Sequence, residues 1–225
     1  MKPKNKILVI AAHPDDEAIG CGGTLTIHQK KGDEIFFLFM TNGVSARNNY
    51  SDTEISIRRK MANAVSLQLN VKKTFYLDFQ DNQLDKVPLL MITKEVEKIV
   101  KKIKPKLIYT HSFGDLNVDH QKTFEATITA CRPQPNFPVK EIYSFEVPSS
   151  TGWHHYKLKN FNPNLYIDIT KVCLKKKRLL NIYSKEMRKS PHARSVEGII
   201  NLSKYRGNQV GVRNAEAFEI IRLLK

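Results

Sequence analysis

Two short runs of apolar residues, 7–12 and 34–41, are rich in Ile, Val and Phe and lack the alternation of a strand with one wet face. Such runs read as parallel strands covered on both sides. Between them, residues 17–31 fit a crossover helix, and the unit then repeats. Residues 54–69 form an amphipathic helical pattern, 74–77 a strand, 89–102 a helix and 107–111 a strand. Strand alternating with helix predicts an α/β fold, Rossmann-like, with a mostly parallel β-sheet flanked by helices. Further on, the pattern predicts a helix over 120–130, a turn marked by Pro133, Pro135 and Pro138, strands near 141–147 and 165–169, and three helical stretches after them. No repeat or linker composition interrupts the chain, so residues 1–225 are expected to form a single domain.

Ligands of such sheets bind outside the carboxyl ends of the strands. Immediately after the first strand stands His13-Pro14-Asp15-Asp16-Glu17. Acidic groups crowded beside a histidine repel one another in a partly dry site unless a cation compensates them. One aspartate is accounted for by capping the following helix; two are not. Imidazole nitrogen and carboxylate oxygen suit a catalytic zinc ion, which takes three protein ligands and keeps a fourth position open. His13 and Asp16 supply two. The third is expected from the strand at 107–111 or the loop after it, where His111 and His120 are both candidates.

Composition narrows the alternatives. The 225 residues carry 37 Lys and Arg against 22 Asp and Glu, a net charge of +15, so anionic partners are attracted in general. Lys98, Lys101, Lys102, Lys104 and Lys106, and Lys171 with residues 175–178, are expected on solvated helix faces. Zinc-finger spacing and an RNA-binding aromatic run are both missing, so a basic nucleic-acid-binding protein with a structural metal is the weaker reading and no specific nucleic acid is expected. A phosphate-binding loop is missing too: Gly20, Gly22 and Gly23 do not make a dinucleotide fingerprint and are expected to let the helix pack closely. A phosphoester hydrolase therefore ranks third. Cys21, Cys131 and Cys173 are odd in number and widely spaced, which points to small buried thiols. The apolar run at 7–12 is too short to span a bilayer, so a cytoplasmic protein with no integral membrane segment is expected.

The motif His13-Pro14-Asp15-Asp16-Glu17, the stretch Gly20-Cys21-Gly22-Gly23-Thr24-Leu25 and the pair Asp119-His120 resemble the PIG-L or LmbE-like deacetylases. Weaker matches extend to Thr41-Asn42-Gly43 with Arg47, to residues 114–117 and 143–148, and to Pro191-His192 with Arg194-Ser195. The resemblance implies a Rossmann-like zinc enzyme that removes acetyl from an N-acetylated amino sugar or its nucleotide-linked, lipid-linked or thiol-sugar conjugate. It implies Zn2+, or another divalent transition metal, on His13, Asp16 and His120, with Asp15 as the general base that takes a proton from the attacking water. One position departs from the family: many relatives read His-Pro-Asp-His where this chain has Asn117-Val118-Asp119-His120. Asn117 donates a neutral hydrogen bond but no proton. The proton for the departing amine is therefore assigned to His192, with His111 second. Arg47 and Asn117 are expected to bind substrate, a small amino sugar for which the positive charge favours an anionic group. Trp153, His154 and His155 line a sugar pocket or form a packed loop corner, and a homo-oligomer is left open.

Overall fold

The computed structural model describes residues 4–153 and 159–225; His154 and His155 lie outside the described residues. Strand β1 (Lys6–Ala11) leads into helix α1 (Asp16–Lys31), then β2 (Glu34–Thr41), α2 (Asp52–Gln68), β3 (Lys73–Phe79), α3 (Leu89–Ile103) and β4 (Leu107–His111). Helix α4 (Val118–Ala130), β5 (Glu141–Phe145), β6 (Leu165–Asp168), α5 (Cys173–Ile182), α6 (Val196–Asn208) and β7 (Ala215–Leu223) follow. The strands form a seven-stranded sheet in the order β3-β2-β1-β4-β5-β7-β6. The five strands from β3 to β5 run parallel, and β7 is antiparallel to both of its neighbours.

Period-two alternation sorts the inner strands onto two apolar layers. Ile7, Val9, Phe37, Phe39 and Tyr109 face α1, α2, α5 and α6, whereas Leu8, Ile10, Leu38, Met40 and Ile108 face α3 and α4. Neither face of β1 meets water, which is why its sequence reads as a continuous apolar run. Each such fully buried aliphatic side chain contributes about 1.5–3 kcal/mol of burial free energy before entropy is counted. Helix α1 lies against the end of β5: a Cβ on Gly20 would come 2.2 Å from the Phe145 ring, and one on Gly23 2.8 Å from Ile169. The glycine stretch is thus a packing device, as expected.

Two expectations are corrected. Helical stretches are expected after the strand at 165–169, and α5 and α6 stand there, but the chain then enters a strand, β7, that the pattern does not predict. Its Ala, Glu, Leu and Arg favour a helix weakly, and pairing on both sides, to β5 and to β6, outweighs that preference. Lys176, expected on a wet helix face with its basic neighbours, is buried: its ammonium lies 2.6 Å from Glu216 and donates to the Ile19 carbonyl at 2.8 Å. Cys21 and Cys131 are buried free thiols and Cys173 is partly exposed. Among the described residues no helix is long and apolar enough to cross a membrane.

The connection after β1 runs to one face of the sheet and the connection after β4 to the other. Their loops part at the carboxyl ends of adjacent strands, the position at which α/β sheets open a crevice.

Candidate metal centre and cleft

The His13-Pro14-Asp15-Asp16 segment turns sharply from β1 into α1. Asp15 takes φ 135°, ψ −28°, a conformation unfavourable for any residue with a Cβ, and such strain persists where surrounding structure fixes it. The turn directs Asp16 back toward its own loop, where its Oδ2 accepts from the His13 backbone N–H at 2.9 Å. The second loop is shaped by caps. Asn117 Oδ1 accepts from the Asp119 N–H at 2.8 Å and starts α4 two residues before the predicted boundary. One turn on, His120 points inward.

Three atoms converge there. His13 Nδ1 lies 3.1 Å from Asp16 Oδ2 and 3.2 Å from His120 Nε2, and the last two are 3.4 Å apart. The outward nitrogens face carboxylates: His120 Nδ1 is 3.0 Å from Asp115 Oδ2, and His13 Nε2 is 3.0 Å from Asp81 and 3.2 Å from Asp119. Those partners hold protons on the outer nitrogens and leave lone pairs inside, the arrangement of carboxylate-backed metal ligands. Two lone pairs and a carboxylate oxygen at this spacing repel unless a cation lies between them. The spacing also matches the edge of a tetrahedron around an ion with bonds of about 2.0–2.1 Å to nitrogen. Asp16 Oδ1 is buried and has no hydrogen-bond partner. The donor set therefore fits a zinc-like ion.

Without the ion, protons substitute. Burial opposes charge on His13, but Asp119, Asp16 and Asp81 override it and raise its pKa well above the ordinary value. Burial likewise opposes charge on His120, yet Asp115 and Asp16 push it up to about 9. Burial alone would raise Asp16; His120 and His111 hold it well below the usual carboxylate range. His111 is a different case. The Ala12 N–H donates to its Nε2 at 2.8 Å, so its lone pair is spent and its proton sits on Nδ1. Burial and the neighbouring His120, stacked at 3.9 Å between centroids, keep it neutral with a pKa well below normal. Of the two histidines left open by sequence, His120 is the one free to ligate.

Asp15 is fully buried beside this cluster. Its Oδ1 accepts from Arg58 Nη2 at 3.1 Å, and its Oδ2, which has no hydrogen bond, is 3.5 Å from Arg194 Nη1. Burial raises its pKa although Arg58 and Arg194 oppose the shift. Arg58 also donates to the carbonyls of Pro14 and Gly43 and to Glu186, which in turn accepts from Arg47 at 2.8 Å. A polar cleft of about 220 Å³ opens over His13 and is lined by these arginines, Asp81, Asn82 and Asn117.

The predicted substrate residues Arg47 and Asn117 both line that cleft; Asn117 also donates to Asn82 at 3.1 Å. His192 is not in the ligand cluster. It lies in the segment before α6, its Nδ1 accepting from the Arg194 N–H at 2.9 Å and its ring packed edge-on against Trp153. Sequence reasoning passed over Asp81, Arg58 and Glu186. Asp81 had a usable signal, since it follows the carboxyl end of β3; Arg58 and Glu186 had none.

The model of the PIG-L family, described as GlcNAc-PI de-N-acetylase, matches residues 8–131. An uncharacterized deacetylase, YaiS, of Escherichia coli K12 is 32% identical over 149 residues, 64% of this chain and 75% of that one. The diacetylchitobiose deacetylase of Thermococcus kodakarensis is 25% identical over 227 residues, covering 96% of this chain and 83% of that one. In fold, the chain resembles the N,N'-diacetylchitobiose deacetylase of Pyrococcus horikoshii, with a TM-score of 0.78, 24% identity, and 98% and 85% of the two chains covered. The matched region spans more than half of the chain and includes both loops of the cluster, and the chain belongs to the PIG-L family of de-N-acetylases, enzymes that hydrolyse an amide.

Proposed function

We propose that the protein is a metal-dependent hydrolase that removes the acetyl group from the nitrogen of an N-acetylated amino sugar, with zinc held by His13, Asp16 and His120. The observation that carries this reading is the meeting of three lone-pair donors 3.1–3.4 Å apart, with each outer histidine nitrogen backed by a carboxylate. Bound there, zinc supplies Lewis-acid polarisation of a carbonyl and lowers the pKa of a water toward about 7.

The remaining steps fall to side chains. Asp15, next to the cluster and with one oxygen unbonded, takes a proton from the attacking water. Its raised pKa suits that task and lets it hold the proton until the C–N bond breaks. Arg58 fixes the other oxygen of Asp15 and so sets the direction of the free one. The amine nitrogen leaves with the proton that Asp15 took from the water; His192, whose Nδ1 accepts from the Arg194 N–H, is a neutral ring that offers a hydrogen bond from Nε2. Water and amide thereby become acetate and an amine. Arg47 and Asn117, on the cleft wall, are assigned to sugar contacts.

Acetate release from N-acetylglucosamine and its glycosides by the zinc-loaded protein tests this reading. Wild type is expected to release acetate and to stop on chelation; Asp15→Asn is expected to retain zinc and lose at least about 10²-fold in kcat, as removal of a positioned base does. Full turnover by Asp15→Asn would remove Asp15 from the role.

A further inference from the structure

We infer that the edge of the sheet where the parallel strands begin is a docking surface for an anionic lipid bilayer. This edge lies opposite the cleft, and its role does not depend on the deacetylase reading, so either can fail without the other.

Backbone pairing assembles the surface. The Lys106 N–H donates to the Lys6 carbonyl, the Lys140 N–H to the Lys106 carbonyl and the Leu224 N–H to the Lys140 carbonyl, each at 2.9 Å. Lys6, Lys106 and Lys140 thus stand in one row at the starts of β1, β4 and β5, neighbouring strands about 4.8 Å apart. On the far side of β1 the Lys72 N–H donates to the Ile35 carbonyl at 2.8 Å, and Lys73 opens β3. Helix α3 ends at the same edge. The Lys6 ammonium donates to its Ile103 carbonyl at 3.2 Å, and the ammoniums of Lys73 and Lys102 lie 5.2 and 5.7 Å from the centre of one ring, Phe75. All of these lysines, with Lys104 just past α3, are exposed except Lys140, which is half-buried.

The charge there is not balanced. Asp33 is taken by His28 and the Asn5 N–H, and Glu141 by the Tyr143 hydroxyl and by Lys106 at 3.7 Å, which leaves Glu34 to oppose the row. The ammoniums of Lys72, Lys104 and Lys140 have neither an ion pair nor a hydrogen bond among the described residues. Lysine at a helix end answers the helix dipole, which accounts for Lys102 and Lys104; a strand start presents no such field to Lys6, Lys106 or Lys140.

Apolar side chains favour lipid over nucleic acid as the partner. Leu223, paired with Glu141 beside Lys140, is 42% exposed, and Leu224 is 57% exposed. Leu67 stands in the last turn of α2, where the Val71 N–H turns back to the Ser66 carbonyl just before Lys72, and is 81% exposed. A bilayer interface takes both kinds of side chain, lysine at the lipid phosphates and leucine at the boundary of headgroups and acyl chains. Nucleic acid offers leucine nothing and rewards stacking aromatics and arginine. Here Phe75 is half-buried beside two lysines, and the Arg222 guanidinium is turned to the Cys131 carbonyl at 2.6 Å. Strand β1 has six residues, so the edge and the metal cluster are about 20 Å apart, and the cleft faces water when the edge lies on lipid.

Cosedimentation of the full chain with vesicles of equal parts phosphatidylglycerol and phosphatidylcholine tests this, at about 0.1 M salt, where charges more than about 10 Å from the lipid are screened. Binding is expected to these vesicles and not to pure phosphatidylcholine. Lys72→Gln/Lys104→Gln/Lys140→Gln is expected to lower the partition constant about 10²-fold, at about fivefold for each lysine. Lys177→Gln/Lys185→Gln/Lys204→Gln has the same net charge but alters α5, α6 and the segment between them, and is expected to lower it by less than about tenfold. Leu67→Ser/Leu223→Ser is expected to weaken binding several-fold with no change of charge. A shifted urea midpoint in either triple variant moves the comparison to Lys72→Gln and Lys140→Gln singly, each expected to cost about fivefold. No binding by wild type, an equal loss in the two triple variants, or binding unchanged by Leu67→Ser/Leu223→Ser would overturn the inference. Duplex DNA bound in place of the vesicles, and lost in Lys72→Gln/Lys104→Gln/Lys140→Gln, would overturn it in favour of a nucleic acid at the same edge.

Discussion

His120 presents Nε2 to the metal cluster and Nδ1 to Asp115 Oδ2, 3.0 Å away. Asp115 is itself held: it accepts from Ser150 Oγ at 3.0 Å and from Thr151 Oγ1 at 2.5 Å, and its Oδ1 accepts from the Asn117 N–H at 2.8 Å. Burial would raise the Asp115 pKa, but His120 and Thr151 bring it below the normal value, so it stays an ionised acceptor. A residue fixed on several sides in this way orients the imidazole and increases its basicity. Asp115→Asn is therefore expected to weaken zinc binding about 10–100-fold, the usual cost of losing such a partner. Competition with a chromophoric chelator reads this directly, and unchanged affinity would assign Asp115 to loop structure alone.

Much of this site was legible because it is local. His13, Asp15 and Asp16 stand within four residues at the end of an obvious strand, and Asn117 and His120 lie on the loop and helix after another. Asp81, just past the end of β3, was legible by position alone; Arg58 and Glu186 were not legible, because they come from a helix face and from the turn after α5, and their meeting exists only in three dimensions. The same reason hid Lys176. Within its basic run nothing distinguishes it from Lys175 or Lys177; only the packing of α5 on α1 turns it inward. Strand β7 was not foreseen either, and its Glu216 and Glu219 are buried acceptors whose partners lie far away in sequence.

Lys176 and Glu216 connect α5, α1 and β7. Glu216 accepts from the Gly23 and Thr24 N–H groups at 2.8 and 2.7 Å, capping α1 just past the break at Cys21, and its charge is balanced by Lys176 at 2.6 Å. Breaking a buried pair leaves an uncompensated charge, whereas removing both charges can be nearly neutral. Lys176→Met is expected to lower unfolding free energy by about 3–5 kcal/mol, and Lys176→Met/Glu216→Gln to lower it less than Lys176→Met alone. Urea denaturation of both variants measures the difference. A double variant less stable than the single one would show that the two backbone caps, and not the charge pair, dominate.

His28 lies at the opposite end of the sheet from the metal cluster, near the carboxyl end of α1. Its Nδ1 is 2.7 Å from Asp33 Oδ2 and its Nε2 is 3.0 Å from the Tyr109 hydroxyl, so a neutral ring donates to the aspartate and accepts from the tyrosine. Burial lowers its pKa, and Asp33 offsets only part of that effect. The unfolded chain, with a histidine pKa of about 6.5, then binds more protons than the folded one as pH falls. The contribution of His28 is present above that value and is lost as pH drops through the lower, folded value. His28→Asn keeps a donor near Asp33 but cannot titrate. It is expected to be less stable than wild type at pH 7.5, yet to lose less stability between pH 7.5 and 5, measured as the shift in urea midpoint. The two slopes differ only if the folded imidazole resists protonation, so parallel slopes, or an NMR titration of His28 at or above about 6.5, would show that Asp33 outweighs burial at this histidine.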